Sequence, residues 1–213
     1  MFKPDEIDVN IVELSPIIHI KGALDEDTRK GLIDNILKVK ADKGPSPDTA
    51  PKCWRDAFRV GTEDGYDSKY GDTVLKLIQQ GLDTFQNTFA VPTNFYTDSK
   101  ARFFNTESLS VDAWVNVNDK GGANSYHSHT GGIMSGIVYL QSFGTGEIVL
   151  KSDRVVFEHY HPLWPYYGSA RYKPDDGDLL LFPSYLGHWV ESNPIDKQRI
   201  NVAFDVRFPE KQN

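Results

Sequence analysis

The spacing of apolar residues changes character near residue 108. Before that point it follows the period of a helix. Leu32, Ile33, Ile36 and Leu37 recur on one face behind the acids Asp25, Glu26 and Asp27, and Lys38, Lys40 and Lys43 follow before Gly44-Pro45. Acids at the start, bases at the end and a Gly-Pro stop predict one helix there. Val74, Leu75, Leu77, Ile78, Leu82 and Phe85 form a second stripe, which predicts a helix over about 70–89. Residues 7–21, with Ile17, Ile18 and Ile20, read as a first strand that carries His19 at an ordinary sheet position. The stretch 44–68 is rich in Pro, Gly, Asp and Ser and reads as loop, interrupted at Trp54–Val60 by a short edge strand or a lid.

After residue 108 the period becomes two. Ser110–Asn118 sets Val111, Ala113, Val115 and Val117 on one face and Asp112, Trp114, Asn116 and Asn118 on the other. A turn at Lys120–Asn124 leads to His127. Strands follow near 133–141, 146–151, 154–159, 178–183, 187–191 and 199–208, with a Pro- and Tyr-rich excursion at 162–176. In the last strand Ile200, Val202, Phe204, Val206 and Phe208 share one face, opposite Arg199, Asn201, Ala203 and Asp205. A greasy outer face with a polar or small inner face suits a barrel around a ligand cavity. The expected fold is mainly β with flanking N-terminal helices, a double-stranded β-helix of the jelly-roll or cupin-like kind. One domain over 1–213 is expected, with 1–107 bracing a barrel core at 108–208.

Composition narrows the function classes. The net charge of −7 over 213 residues argues against a general grip on nucleic acid, which needs a basic surface. Cys53 is the single cysteine, which rules out an intrachain disulfide and a Cys-based zinc site. No apolar run approaches transmembrane length, and Met1–Glu6 lacks the apolar core of a signal peptide. The expectation is a soluble, cytoplasmic protein.

The candidate chemistry lies in Tyr126–Gly132 and Phe182–His188. His127 and His129 on an extended segment project to one side, and His188 arrives from a second apolar run. Three neutral imidazoles are good ligands for a first-row metal. The spacing alone is weak evidence, because His159 and His161 repeat it with no evident third partner. Arg199 opens the polar face of the last strand, eleven positions after His188.

This order of residues resembles the iron(II) and 2-oxoglutarate dependent oxygenases. Trp114-x-Asn116, His127-Ser-His129, Ser135–Leu140, Gly177–Ser184, His188 and Arg199–Phe204 are similar to an oxygenase subfamily known from marine bacteria and phages. The resemblance spans roughly residues 108–208. It implies Fe(II) held by His127, His129 and His188, with 2-oxoglutarate as co-substrate and molecular oxygen as oxidant. It also implies Arg199 as the bidentate partner of the distal carboxylate of the keto acid, with Tyr139 as a second carboxylate contact. Trp114 and Asn116 would line the same pocket.

The chain departs from the wider family at His129, where most members carry a carboxylate, and this leaves the site more positive by one unit. Water or an anion in place of His129, or a carboxylate from Asp112 or Asp178, are alternatives. The expected reaction is hydroxylation of a small molecule or a peptide, in a protein that can be a homodimer. Residues 152–176 are a candidate substrate-contacting loop over the barrel mouth. Two other readings stand beside this one: a cupin-type three-His iron dioxygenase that does not use 2-oxoglutarate, and a non-enzymatic binding barrel.

Overall fold

Helix α1 spans Glu26–Lys43 and is closed at both ends by the residues that flank it. The Asp25 carboxylate accepts from the Thr28 N–H at 2.9 Å, satisfying one of the open donors of the first turn. Gly44 takes φ 70°, a left-handed conformation that a Cβ resists, and its N–H donates to the Lys40 carbonyl. Helix α2 runs over Ser68–Phe89. The computed structural model describes residues 6–12, 15–46, 52–62, 65–89, 109–151 and 169–208. None of the described helices is long and apolar enough to cross a membrane.

The strands are β1 (Glu6–Val12), β2 (Ser15–Lys21), β3 (Cys53–Ala57), β4 (Ser110–Asn118), β5 (Asn124–His127) and β6 (Met134–Gln141). They continue with β7 (Ile148–Lys151), β8 (Ser169–Tyr172), β9 (Leu179–Pro183), β10 (Gly187–Val190) and β11 (Arg199–Arg207). Among the described residues seven form one sheet in the order β1-β2-β9-β6-β11-β4-β3, and four form a second in the order β5-β10-β7-β8. Three details differ from the sequence reading. Residues 7–21 make two antiparallel strands, and Pro16, which lacks an amide donor, falls outside the Ile18–Ile20 stretch that pairs with β9. Asn124 opens β5 and does not close the preceding turn. The excursion at 162–176 contains β8, which pairs with β7. The strand expected at 154–159 lies outside the described residues. Of the two readings of Trp54–Val60 the edge strand holds for its first part: β3 covers Cys53–Ala57 and, among the described residues, pairs with β4 alone.

The two faces of the large sheet bury different things. Its outer face carries Val115, Val117, Ile200, Val202, Phe204 and Val206 into one core with Leu32, Ile36 and Val39 of α1 and Val74, Leu77 and Ile78 of α2. Full burial of each such side chain contributes about 1.5–3 kcal/mol. Gly136 of β6 sits opposite Phe204 on this face, and a Cβ there would stand 2.7 Å from the Leu180 carbonyl oxygen and collide with the Phe204 ring. The inner face, with Ile137, Tyr139, Leu180, Phe182 and Ala203, joins Ile148 and Leu150 of the small sheet in a second core. The period-two alternation of β11 thus places Arg199, Asn201, Ala203 and Asp205 between the sheets.

Candidate metal centre

The three histidines predicted to meet do so through strand pairing. β5 and β10 are antiparallel neighbours, and His127 stands directly opposite His188. Their ring centroids are 4.2 Å apart. His129 lies beyond the end of β5, where its backbone N–H donates to the Ser184 carbonyl at 2.9 Å and ties the segment to the end of β9. Its ring is 5.1 Å from each of the other two. One nitrogen from each imidazole falls within 4.8 Å of the others, a separation suited to a shared ion. Among the described residues this is the one such cluster of His, Cys, Asp and Glu.

In each ring Nδ1 is already engaged. His127 Nδ1 lies 2.7 Å from the Ser125 carbonyl and His188 Nδ1 lies 3.0 Å from the Leu186 carbonyl. His129 Nδ1 lies 2.5 Å from Asp205 Oδ1. A carbonyl or carboxylate oxygen accepts, so each Nδ1 carries a proton, which in a neutral ring leaves the lone pair on Nε2. Contacts of this kind are the ones that hold a metal-binding imidazole in one tautomer. Burial pushes His188 down to about 4, more than the Leu186 carbonyl restores, with the neighbouring imidazoles adding to the fall. Burial also lowers His127, against the pull of the Ser125 carbonyl. Both rings are therefore neutral donors at pH 7. Asp205 is pushed up by burial, but hydrogen bonds from His129 and Ser135 outweigh that and hold it below the usual carboxylate value.

The cluster opens into a cavity lined on its polar side by Asn116, Asn124, Ser135 and Asn201 and on its apolar side by Trp114, Ile137, Phe182, Val190 and Ala203. Trp114 and Asn116, both singled out in the sequence, are in this wall. Asn116 Nδ2 donates to Asn201 Oδ1 at 3.0 Å, which braces the two strands on the cavity side. The Trp114 ring lies 5.5 Å from the His129 ring, and the Arg55 guanidinium sits 4.5 Å over the same indole. Arg55 faces the cavity side because β3 pairs it with Asn116.

Arg199 and Tyr139 are not part of that lining, yet both are buried on the same sheet face: Arg199 is 1% exposed and Tyr139 2%. Arg199 Nη1 donates to the Thr145 carbonyl at 2.9 Å and the Glu191 carbonyl at 3.0 Å. Arg199 Nη2 and Tyr139 Oη are buried with no hydrogen-bond partner among the described residues. Burial lowers the Arg199 guanidinium and raises the Tyr139 phenol, and each group is in the electrostatic range of the other. A buried donor without a partner is costly, so two of them in one region fit an anionic ligand that neither strand supplies.

The remaining sequence candidates fall elsewhere. Asp112 stands opposite Asp205 on the same sheet face but is exposed and paired with Arg207 at 3.2 Å, outside the cluster. Asp178 accepts from His19 at 2.7 Å and from the Gly22 and Asp175 N–H groups, so neither it nor His19 reaches the cluster. His159 and His161, and most of the excursion expected over the mouth, lie outside the described residues. The sequence reading missed Asp205 and Ser135 as partners of the site. The polar face of β11 was the one available signal, and nothing in the spacing said which ring Asp205 would meet.

Residues 112–205 match a family described as Putative 2OG-Fe(II) oxygenase. No curated protein matches the chain in sequence. Similar solved structures include a Pseudomonas putida prolyl-4-hydroxylase, 14% identical over 91% of this chain and 92% of that one, with a TM-score of 0.61. Another is the non-heme alpha ketoglutarate dependent carbocyclase SnoK from nogalamycin biosynthesis, 14% identical over 89% and 79%, with a TM-score of 0.62. A Trichoplax adhaerens prolyl hydroxylase in complex with a hypoxia inducible factor peptide fragment is 11% identical over 90% and 83%, with a TM-score of 0.56. These likenesses agree with the double-stranded β-helix expected from the strand pattern. The matched stretch, residues 112–205, carries all three histidines together with Tyr139 and Arg199.

Proposed function

We propose that the chain is an iron(II)- and 2-oxoglutarate-dependent hydroxylase acting on a small molecule or a peptide side chain, with its 213 residues working as one domain. The observation that carries this reading is the pairing of three converging imidazole nitrogens with the unpartnered Arg199 Nη2 and Tyr139 Oη on one inner face. His127, His129 and His188 would hold the iron. Arg199, through Nη2 and its charge, and Tyr139 would hold the distal carboxylate of the keto acid. The bound iron and keto acid would supply the oxidising chemistry, in which 2-oxoglutarate, oxygen and a substrate C–H bond give succinate, carbon dioxide and the hydroxylated substrate. The protein's own residues have three tasks. The Nδ1 acceptors keep the three Nε2 lone pairs facing one another. Trp114, Ile137, Phe182 and Val190 keep water away from the reacting face. Asn116 and Asn201 offer polar atoms beside it. The one-domain reading is supported by β1, β2 and β3, which complete the same sheet as the barrel strands.

An anaerobic titration tests the assignment. Iron(II) and then 2-oxoglutarate are added to the protein, and a visible charge-transfer band from keto-acid chelation is expected. His188→Ala should abolish both metal binding and the band. A parent protein that binds iron but gives no band with 2-oxoglutarate would favour a three-His dioxygenase that does not use the keto acid.

A further inference from the structure

The acceptors behind the three imidazoles are not alike. His127 and His188 each lean on a neutral backbone carbonyl two residues earlier in the chain. His129 leans on a carboxylate 76 residues away, Asp205, which is 4% exposed. That carboxylate is itself aimed. Its Oδ1 takes the Ser135 hydroxyl at 2.7 Å as well as His129, and its Oδ2 lies 3.5 Å from Arg207 Nη2. The Ser135 and Ser184 hydroxyl oxygens are 2.9 Å apart, and the Ser184 carbonyl holds the His129 backbone N–H. Both ends of His129, its ring and its backbone, are therefore fixed by one connected set of groups.

A carboxylate is costly to bury without a partner, and here the partner offered is the Nδ1–H of the odd ligand. His129 occupies the slot in which a carboxylate ligand would bring a negative charge to the metal. Resting on the three-imidazole reading, we propose that Asp205 is the positioning carboxylate of the metal centre. Through His129 it supplies, one imidazole further out, the negative charge that the second ligand lacks. The hydrogen bond does two things. It locks the ring orientation, and it makes Nε2 a stronger donor by drawing on the Nδ1 proton. A ring held by a carboxylate partially offsets the extra positive charge of a three-His site, whereas a ring held by a carbonyl would not.

Cobalt(II) is the probe, because its visible ligand-field bands report the donors directly and need neither 2-oxoglutarate nor turnover. The parent protein should bind one equivalent. Asp205→Ala should weaken cobalt(II) about 10–100-fold, the usual effect of losing such an outer partner, and should shift the bands. Asp205→Asn keeps an acceptor oxygen without the charge. It should lose less affinity and shift the bands in the same direction. Parent-like affinity and spectra in both variants, even with a lowered melting temperature, would mean that Asp205 only supports the fold, and would overturn the proposal. If Asp205→Ala does not fold, Asp205→Asn decides on its spectrum alone. A parent protein that takes up no cobalt(II) would instead sink the three-imidazole reading itself.

Discussion

Arg199 offers the sharpest test of the co-substrate. Its Nη1 is already committed to the Thr145 and Glu191 carbonyls, so what it can offer a keto acid is Nη2 and its charge. A hydrogen bond to a charged group contributes about 1.5–3 kcal/mol, and about 1.4 kcal/mol is tenfold in affinity. Arg199→Ala should therefore weaken 2-oxoglutarate binding between about tenfold and about 150-fold. Iron(II) affinity should stay near the parent's, because the imidazoles are held by Ser125, Leu186 and Asp205 and not by Arg199. The alanine also strands two carbonyls and lowers stability, so a second variant separates the effects. In Arg199→Lys the ammonium can serve those carbonyls but cannot fork, and it should recover stability more fully than keto-acid affinity. The assay follows the charge-transfer band as 2-oxoglutarate is titrated anaerobically into the iron(II) protein. Identical titrations for parent and Arg199→Ala would refute the reasoning.

Three further outcomes follow from other parts of the molecule. His129→Asp should retain iron(II), because a carboxylate can ligate from that slot, while His129→Leu should weaken it substantially; a leucine variant that binds as the parent does would make His129 a bystander. Gly136→Ala should destabilise the fold by about 1–3 kcal/mol in denaturant unfolding, since the new Cβ would meet the Leu180 carbonyl at 2.7 Å; an unchanged midpoint would contradict the close approach. Asp176 is pushed up by burial, but the Ser142 and Phe143 N–H groups, with Lys197 and Arg29 beside it, hold its carboxyl below the ordinary 3.8. A depressed acid contributes stability that is present above the unfolded value and lost as pH falls through the folded one, so acid unfolding below about pH 4 should be steeper in the parent than in Asp176→Asn. Superimposable acid curves would remove Asp176 from that account.

Legibility in the sequence tracked how local each cause was. The caps of α1 could be read because Asp25 and Gly44 act on their own helix within four residues. The faces of β4 and β11 could be read because alternation is a property of the strand alone. Pairing order could not, since nothing in Glu6–Lys21 states that β2 will lie beside β9. The candidate site divides in the same way. His127 and His129 are near in sequence, and the third histidine was found because it arrives from a second apolar run. Asp205 was placed on the correct face of its strand, but its contact with His129 depends on where Ser184 holds a segment that has already left β5.

That contact also explains why β11 tolerates so polar an inner face. A strand in the middle of a seven-stranded sheet would ordinarily be apolar on both sides, because both are covered. Here the outer residues Ile200, Val202, Phe204 and Val206 supply the packing against the helices. The inner residues are left to Arg199 at one end and Asp205 at the other, with Asn201 and Ala203 on the cavity wall between them. On the proposed reading, a cation and an anion on one strand, separated by two small or neutral inner positions, would fix the distance between the group that meets the keto acid and the partner of a metal ligand. The sheet core thus does the work of a ruler, and substitutions on the outer face should cost stability before they cost chemistry.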